Sequence, residues 1–437
     1  MKRIGILGGG IAGLSLSYFL GEDTEILEKS DECGGLCRSF NKDGFTYDLG
    51  GHIIFSKDKE ILDFEKDLLK GKLNELYRRN SVWFKGRFVK YPFENGLSVL
   101  DKEDIFDCLY NYLENPPRPQ NNFEDWIYNT FGKGLAEHYL IPYNEKIWKT
   151  PAKEMGTMWV ERIPKPPAED IVKSALGIET EGYTHQLYFY YPKTGGFQTV
   201  PRTFEEHVND RIVRQFPVKK IKKTSRGWSV AGDKGEREYE KIINTMPIFD
   251  FMDALGDQVP PEVRRAVDNL KYNSLIVVLV GIDKPRIHDQ QAVYCPQPDL
   301  LFHRLVFFDY FGLNYVPEGC SSIMVEITAK EGDAIWSMSN QKITEQVIDG
   351  LAREGFIDKK DVVTTDVQRT KYAYVIYDLN REKNLDIIYE YCKEQDIELC
   401  GRFSEYVYYN SDAVMRSAKT IADRMKSDNG AHGKKNK

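Results

Sequence analysis

The chain has 437 residues, and its 60 basic and 67 acidic side chains give a net charge of −7, which disfavours nucleic acid or an anionic membrane surface as a general partner. No apolar run reaches the ~20 residues that cross a bilayer, and the first residues enter a strand directly, so we predict a cytoplasmic protein without a membrane span. The seven cysteines are scattered without metal-ligand spacing, so we interpret them as reduced thiols and expect no metal site.

The first forty residues carry the strongest motif of the chain. A short apolar run predicts a buried strand, and three glycines follow it in G-x-G-x-x-G spacing, Gly8, Gly10 and Gly13. Such a turn lets the backbone approach a pyrophosphate, which then lies at the N-terminus of the helix predicted from Ile11 to about Leu20. A second strand ends at Glu28, where a ribose hydroxyl needs an acceptor. The pattern predicts a dinucleotide-binding fold.

Between this motif and residue 180 the hydrophobic pattern changes twice. Strand-forming residues lead into the double glycine Gly50-Gly51, and an apolar stripe predicts a helix within 57–79. A hairpin is predicted over 82–89, with its turn at Lys85-Gly86. From 101 to about 170 the segments are mostly helical and contain no strand, so this block is a candidate inserted domain.

Strands return in the second half of the chain. Long strands are predicted over 274–282, 303–310, 321–329 and 362–374, and they suit the antiparallel floor of a substrate-binding domain. After a last strand at 397–402, Asn410 and its neighbours predict the cap of a helix that runs to about Met425. The residues from Asp428 onward are rich in Gly, Asn and Lys, which predicts a disordered tail.

The residues around these elements resemble a known family. Glu28-Lys29 followed by Gly34-Gly35 is similar to the FAD-dependent amine oxidase and protoporphyrinogen oxidase-like superfamily. Further matches occur in order along the chain, at Asp48–Ser56, Tyr91-Pro-Phe93, Pro142–Trp148, and Gly401-Arg402-Phe403 with Tyr408. They resemble the UDP-galactopyranose mutase family, in its eukaryotic-type branch, from Met1 to about Met425.

The resemblance implies an α/β fold with three domains. A Rossmann-type FAD-binding domain is interrupted by an inserted helical domain and an antiparallel-sheet substrate domain, with the ligand cleft where the three meet. The predicted boundaries are 1–80, 196–258 and 385–427 for the FAD-binding domain, 96–180 for the helical domain, 81–95, 181–195 and 259–384 for the sheet domain, and 428–437 for the tail.

The resemblance also implies a flavin-dependent isomerisation of a nucleotide sugar between its pyranose and furanose forms. The N5 atom of reduced FAD acts as the nucleophile, and NAD(P)H is the expected external reductant. FAD would contact Gly8, Gly10, Ile11, Ala12, Gly13, Glu28, Lys29, Gly35, Leu36, Gly50, Val218, Arg402, Asn410 and Ser411. The catalytic group would be Gly51, His52, Arg162 and Arg304. The substrate would contact Tyr91, Phe93, Glu94, Asn144, Trp148, Tyr294, Tyr374 and Tyr408.

The chemistry of a nucleotide sugar is consistent with these residue types. A diphosphate with about two negative charges, in a protein of net negative charge, needs guanidinium groups such as those of Arg162 and Arg304, which bind phosphate oxygens bidentately. Tyrosine hydroxyls add neutral donors. The sequence leaves the oligomeric state open.

Two residues depart from the family pattern and leave the nucleotide and the sugar open. Glu94 stands where the family has a glutamine, and Lys57 replaces a second histidine. A carboxylate only accepts hydrogen bonds, so it suits the amino group of cytosine better than uracil, which needs a donor and an acceptor. The alternative is that Glu94 points to solvent or pairs with a lysine.

Two other functions stay open. A flavin oxidase or desaturase of the same superfamily, acting on an amine, a porphyrinogen or a polyene, needs an apolar cavity, in which Arg162, Tyr294 and Arg304 have no purpose. A protein that binds flavin or a nucleotide sugar without catalysis would show binding without turnover.

Overall fold

The computed structural model describes residues 3–181, 187–286 and 288–433. Its strands are β1 (Ile4–Leu7), β2 (Thr24–Leu27), β3 (Ser39–Lys42), β4 (Phe45–Asp48), β5 (Leu73–Tyr77), β6 (Asn80–Phe84), β7 (Arg87–Lys90), β8 (Tyr188–Pro192), β9 (Ile212–Val213), β10 (Val218–Thr224), β11 (Gly227–Gly232), β12 (Gly235–Tyr239), β13 (Lys241–Asn244), β14 (Tyr272–Ile282), β15 (Ala292–Tyr294), β16 (Arg304–Phe307), β17 (Ser321–Ala329), β18 (Val362–Val375) and β19 (Glu398–Leu399).

The α-helices, in chain order, are α1 (Ile11–Leu20), α2 (Lys59–Leu68), α3 (Lys102–Leu113), α4 (Phe123–Leu135), α5 (Ile141–Trp148), α6 (Ala168–Ala175), α7 (Thr199–Val208), α8 (Ile248–Leu255), α9 (Pro261–Asp268), α10 (Asn340–Arg353), α11 (Arg381–Glu394) and α12 (Ser411–Gly433). Within the described ranges, no helix combines the length and the apolar character that a membrane crossing requires.

The glycine turn lies at the centre of a parallel sheet. The strand order is β19-β13-β1-β2-β9, and β1 is buried along its whole length. Gly8 follows β1 with a φ of +118°, a conformation that favours glycine. A Cβ on Gly13 would lie 2.0 Å from the carbonyl oxygen of Gly8, so only glycine lets α1 approach the turn this closely. The predicted strand, turn and helix are confirmed.

A second sheet of seven strands has the order β18-β14-β17-β16-β15-β6-β7. β14 pairs antiparallel with β17 and with β18, as the predicted long strands required. Between β16 and β17 the register places Arg304 directly opposite Glu326. The hairpin of β6 and β7 extends this sheet, and β15 joins it through parallel pairing with β6. The α/β fold class is therefore confirmed.

Three predicted elements differ from those observed. The helix predicted within 57–79 ends at Leu68, because Gly71 adopts a φ of +80° and the chain then forms β5, which pairs with β8. The strand predicted over 303–310 is limited to β16. The last helix does not end near Met425 but continues to Gly433, through part of the predicted tail. Residues 434–437 of that tail lie outside the described ranges.

Glu65 on α2 is a fully buried carboxyl whose two oxygens have no hydrogen-bond partner among the described residues. Burial and the nearby Asp412 raise its pKa from the ordinary 4.5 to about 8. At pH values between 4.5 and about 8, Glu65 is protonated in the folded state but ionised in the unfolded chain. The contribution of Glu65 to stability is therefore lost as the pH rises through this interval.

We expect Glu65→Gln to remove this pH dependence. The melting temperature of the variant should match that of the parent near pH 5 and exceed it by about 3 °C near pH 8.5. At the higher pH the parent buries an ionised carboxyl, whereas the variant buries a neutral amide. Thermal denaturation across this pH range measures the difference. Asp63→Asn, at an exposed position of the same helix, is the control. A constant difference at all pH values would contradict the prediction.

Candidate functional site

A cavity of about 420 Å³ opens beside the glycine turn, and we call it the glycine-loop cavity. Most residues implied to hold FAD line it: Gly8, Gly10, Ile11, Ala12, Glu28, Lys29, Gly35, Leu36, Val218, Arg402, Asn410 and Ser411. The two others lie elsewhere, since Gly13 packs against the turn and Gly50 lines the next cavity. Residues from the beginning, middle and end of the chain therefore meet here.

The groups on this wall fit a flavin dinucleotide. The Glu28 carboxylate accepts hydrogen bonds from the backbone N–H groups of Gly9 at 2.7 Å and Ser30 at 2.8 Å, which fixes it beside the turn. A Cβ on Gly35 would lie 3.2 Å from the Cα of Gly10, so bare backbone forms the floor. The N-cap of α1, Gly10, has no side chain, and the first N–H groups of the helix can face a pyrophosphate.

His52 lies between the glycine-loop cavity and the next one. Its ring stacks on Phe197 with a centroid distance of 4.8 Å, and its buried Nδ1 has no hydrogen-bond partner among the described residues. Burial, with a contribution from Arg402, lowers the pKa of His52 to about 4. The imidazole is therefore neutral at neutral pH.

A smaller space of about 210 Å³, the inner cavity, continues from the glycine-loop cavity. Its wall includes Gly50, Gly51, His52, Arg78, Tyr294, Arg304, Tyr374 and Arg402. His52, Arg402, Asn410 and Ser411 line both cavities, so a group held in one would border the other. The sequence predicted most of these residues for the site, but it did not identify Arg78.

Arg304 is paired inside the protein with a carboxylate that the sequence analysis missed. Its Nε and Nη2 atoms donate to the two oxygens of Glu326 at 2.8 and 2.7 Å, and Glu326 also accepts from the Gly51 N–H at 2.5 Å. The Glu326 side chain is 0% exposed. Burial alone would raise the pKa of Glu326, but Arg304 and His303 hold it well below its ordinary value. The charge of Arg304 is thus already compensated.

A larger space of about 570 Å³, the outer cavity, contains the second predicted arginine. The guanidinium carbon of Arg162 lies 4.3 Å from the ring centroid of Tyr408, and no described carboxylate pairs with it. Trp148 contacts the rings of both Tyr408 and Tyr374 edge-on. Trp148, Arg162 and Tyr408, which are distant in the sequence, therefore line the outer cavity together, and Tyr374 lines the inner cavity next to them.

Another part of the lining of the outer cavity is aromatic and contains Glu94. Glu94 is only 2% exposed and lines the cavity, so the alternative that it points to solvent or pairs with a lysine is wrong. Burial raises the pKa of its carboxyl to about 7, and a hydrogen bond from its own backbone N–H opposes that rise. Tyr91, Tyr139 and Tyr143 line the cavity beside it.

Phe93, Asn144 and Arg304 have surroundings that the sequence did not predict. Phe93 is fully buried and stacks on Tyr139 at 5.1 Å, so Tyr139 faces the cavity in its place. Asn144 lines the outer cavity, and its amide donates to the carbonyl of Leu140, the residue before α5, and accepts from the Trp148 indole. Arg304 lines the inner cavity, whereas Arg162 lines the outer one.

No group of three or more His, Cys, Asp or Glu side chains within the described ranges is arranged to hold a metal ion. All seven cysteines are free thiols. Burial raises the pKa of Cys33 and of Cys37 to about 12, so these thiols near the glycine turn stay protonated at neutral pH.

Comparison with known proteins gives consistent results for the fold. The family described as flavin containing amine oxidoreductase matches residues 11–384. A crystal structure of reduced UDP-galactopyranose mutase superposes with a TM-score of 0.89 and 26% identity, covering 98% of this chain and 96% of that chain. Putrescine oxidase bound to putrescine superposes with a TM-score of 0.69 and 16% identity, covering 98% and 99%.

The curated relatives are similar over shorter stretches. An L-amino-acid oxidase of Crotalus adamanteus is 35% identical over 252 residues, which are 50% of this chain and 44% of the relative. The coproporphyrinogen III oxidase of Staphylococcus aureus is 35% identical over 72 residues, 15% of this chain and 16% of the relative. The chain thus spans less than half of the length of these two relatives.

Proposed function

The chain belongs to the flavin containing amine oxidoreductase family, and we propose that within it this protein is an FAD-dependent mutase that interconverts the pyranose and furanose rings of a nucleotide sugar. One observation carries the proposal. The cavity next to the glycine-loop cavity is polar, and the outer cavity presents tyrosine hydroxyls together with Arg162, which pairs with no carboxylate in the described part of the chain. Such a cleft suits a diphosphate.

The protein residues have distinct tasks in this function. Glu28 and the N-terminus of α1 would hold the dinucleotide, and His52, Gly51 and Arg402 would border its ring system. When bound and reduced, FAD supplies the nucleophile for the anomeric carbon of the sugar. Tyr374 lines the inner cavity and Tyr408 lines both cavities, so their hydroxyls are available as neutral donors.

Arg162 would bind the diphosphate and stabilise the negative charge that develops when it leaves the sugar. Arg304 would donate from the opposite side of its guanidinium, while Glu326 fixes its orientation and that of the Gly51 N–H. Neutral His52 adds no charge next to the reacting centre. The eukaryotic-type branch, the reductant and the domain boundaries remain predictions.

An oxidase is the second candidate, because the curated relatives include L-amino-acid oxidases. An arginine can hold the carboxylate of an amino acid as well as a phosphate. The deciding experiment incubates dithionite-reduced, FAD-loaded protein with UDP- and CDP-linked hexoses, with oxidised protein as the control. Isomerisation only in the reduced state supports the mutase. Oxygen-dependent oxidation of amino acids or amines without isomerisation would replace it by the oxidase, and binding alone would indicate a non-catalytic protein.

Glu94 is expected to select the base of the nucleotide. At pH 8 its carboxyl is mainly ionised, accepts from the amino group of cytosine and offers no donor to uracil. Glu94→Gln should therefore shift the ratio of CDP to UDP affinities by about 10-fold toward UDP at pH 8. At pH 6 the protonated carboxyl can donate, so the parent should discriminate less. Calorimetric titrations of both nucleotides measure this ratio.

Glu103→Gln, which removes an exposed carboxylate from α3, is the control for the change in net charge. It should leave the CDP to UDP ratio of the parent unchanged. If the ratio for Glu94→Gln equals that of the parent at both pH values, the base does not contact Glu94.

A further inference from the structure

Arg78 lies at a junction of three cavities. It lines the inner cavity, the outer cavity and a third space of about 440 Å³ that also borders Arg79, Lys90 and Asp289. It comes directly after β5, and its backbone N–H donates to the Leu187 carbonyl at 2.7 Å. Its side chain therefore reaches the cleft from a fixed backbone position.

Neutral side chains hold the guanidinium of Arg78 in place. The Asn80 amide is assigned with its oxygen toward Arg78, because it then accepts from Nε at 2.8 Å and from Nη2 at 3.1 Å. In this orientation its nitrogen donates to Gln291 at 2.7 Å. The Nη2 atom also lies 3.4 Å from the Tyr294 hydroxyl. These contacts leave the two N–H groups of Nη1 without a partner among the described residues.

Arg78 differs from the nearby Arg304 and Arg79, each of which is paired with a carboxylate. Arg304 is paired with the buried Glu326, and the adjacent Arg79 is paired with Asp289. No carboxylate of the described residues pairs with Arg78. A guanidinium that is oriented by neutral amide and hydroxyl groups, and that faces open space, is suited to an anionic ligand.

We propose that Arg78 is a further substrate-binding residue, and that it binds an oxyanion of the ligand that enters the outer cavity. This inference rests on the proposed function, because a nucleotide sugar supplies the oxyanion. Two chemical sources are compatible with the position of Arg78: a diphosphate oxygen, for which Arg78 acts together with Arg162, or a carboxylate on the sugar, as in a hexuronic acid. In either case Arg78 brings a positive charge that no carboxylate of the described residues pairs with, whereas the charge of Arg304 is compensated by Glu326.

The test measures binding to the oxidised, FAD-loaded protein, so it does not depend on turnover. The ligands are inorganic pyrophosphate, UDP, CDP, a UDP-hexose and a UDP-hexuronate, and the variants are Arg78→Gln, Arg78→Lys and the control Arg79→Gln. We expect Arg78→Gln to weaken binding of the anionic ligands by about 10- to 100-fold. Arg78→Lys should recover part of the affinity because it keeps the charge, and Arg79→Gln should bind as the parent does.

The pattern of losses identifies the source of the oxyanion. Equal losses for pyrophosphate, the nucleoside diphosphates and both sugars assign Arg78 to the diphosphate, whereas a loss confined to the hexuronate assigns it to the sugar carboxylate. Unchanged affinities for every ligand that the parent binds would overturn the inference, and so would equal losses in Arg79→Gln. If the parent binds these ligands and Arg78→Gln weakens them, but no isomerisation occurs, the proposed function fails while the binding role of Arg78 stands.

Discussion

Replacing Glu326 by alanine is expected to lower the free energy of unfolding by about 3–5 kcal/mol, the range found when one partner of a buried ion pair is removed. Glu326 is 0% exposed, and the Arg304 side chain is 20% exposed. The substitution leaves the guanidinium without its counter-ion and the Gly51 N–H without its acceptor. Urea denaturation followed by fluorescence, with the FAD content of each sample matched, measures the change.

Two further variants test whether the loss of unfolding free energy in Glu326→Ala comes from the buried ion pair. Glu238→Ala removes the carboxylate of an exposed ion pair, in which the Arg226 side chain is 75% exposed and the Glu238 side chain is 48% exposed. This substitution should lower the free energy of unfolding by less than about 1 kcal/mol. The double variant Arg304→Gln with Glu326→Gln replaces the ion pair by a neutral pair, so it should cost less than the sum of the two single changes. A cost for Glu326→Ala as small as that for Glu238→Ala would contradict the buried pair.

The sequence predicted the elements whose interactions are local. The three glycines of the turn act within six residues of one another, and the Cβ clash at Gly13 involves Gly8, so the spacing alone carries the information. The same holds for the hairpin of β6 and β7, where Lys85 at a φ of +48° and Gly86 form the predicted turn. The strands over 274–282 and 321–329 were predicted because their sequences are mostly apolar and β-branched.

The elements that were predicted wrongly depend on contacts with residues far along the chain. Leu73–Tyr77 became a strand because it pairs with Tyr188–Pro192, more than a hundred residues away, and a helical stripe does not reveal that partner. The composition of the last residues suggested disorder, yet α12 continues through Gly433. Composition reports the average tendency of a segment, whereas a helix that is already formed propagates one hydrogen bond at a time.

In the candidate site, too, the sequence revealed local features but not the partners that are distant along the chain. Glu326 left one signal in the sequence, a single carboxylate within a strand that is buried at all nine positions, because such a charge needs a partner. The identity of the partner depended on the register of β16 against β17. The sequence around Arg78 did not indicate a role for it. Its orientation depends on contacts with Asn80 and with Tyr294, which is 216 residues away. Most of the residues implied by the resemblance line the cavities, and the two exceptions, Gly13 and Phe93, pack behind residues that do.

Replacing Arg162 by alanine is expected to weaken nucleoside diphosphate binding by about 10- to 100-fold and to reduce turnover of the nucleotide sugar by a further 100-fold or more. The second loss is larger because charge accumulates on the diphosphate as its bond to the sugar breaks. Arg118→Ala is the matched control, since Arg118 lies 4.7 Å from the ring centroid of Tyr128 and Arg162 lies 4.3 Å from that of Tyr408. Arg118 does not line the glycine-loop, inner or outer cavity. Titrations with the oxidised protein and assays with the reduced protein separate binding from turnover, at equal FAD content. If both variants retain the parental affinity and turnover, the diphosphate does not bind at Arg162, and the cleft serves another ligand.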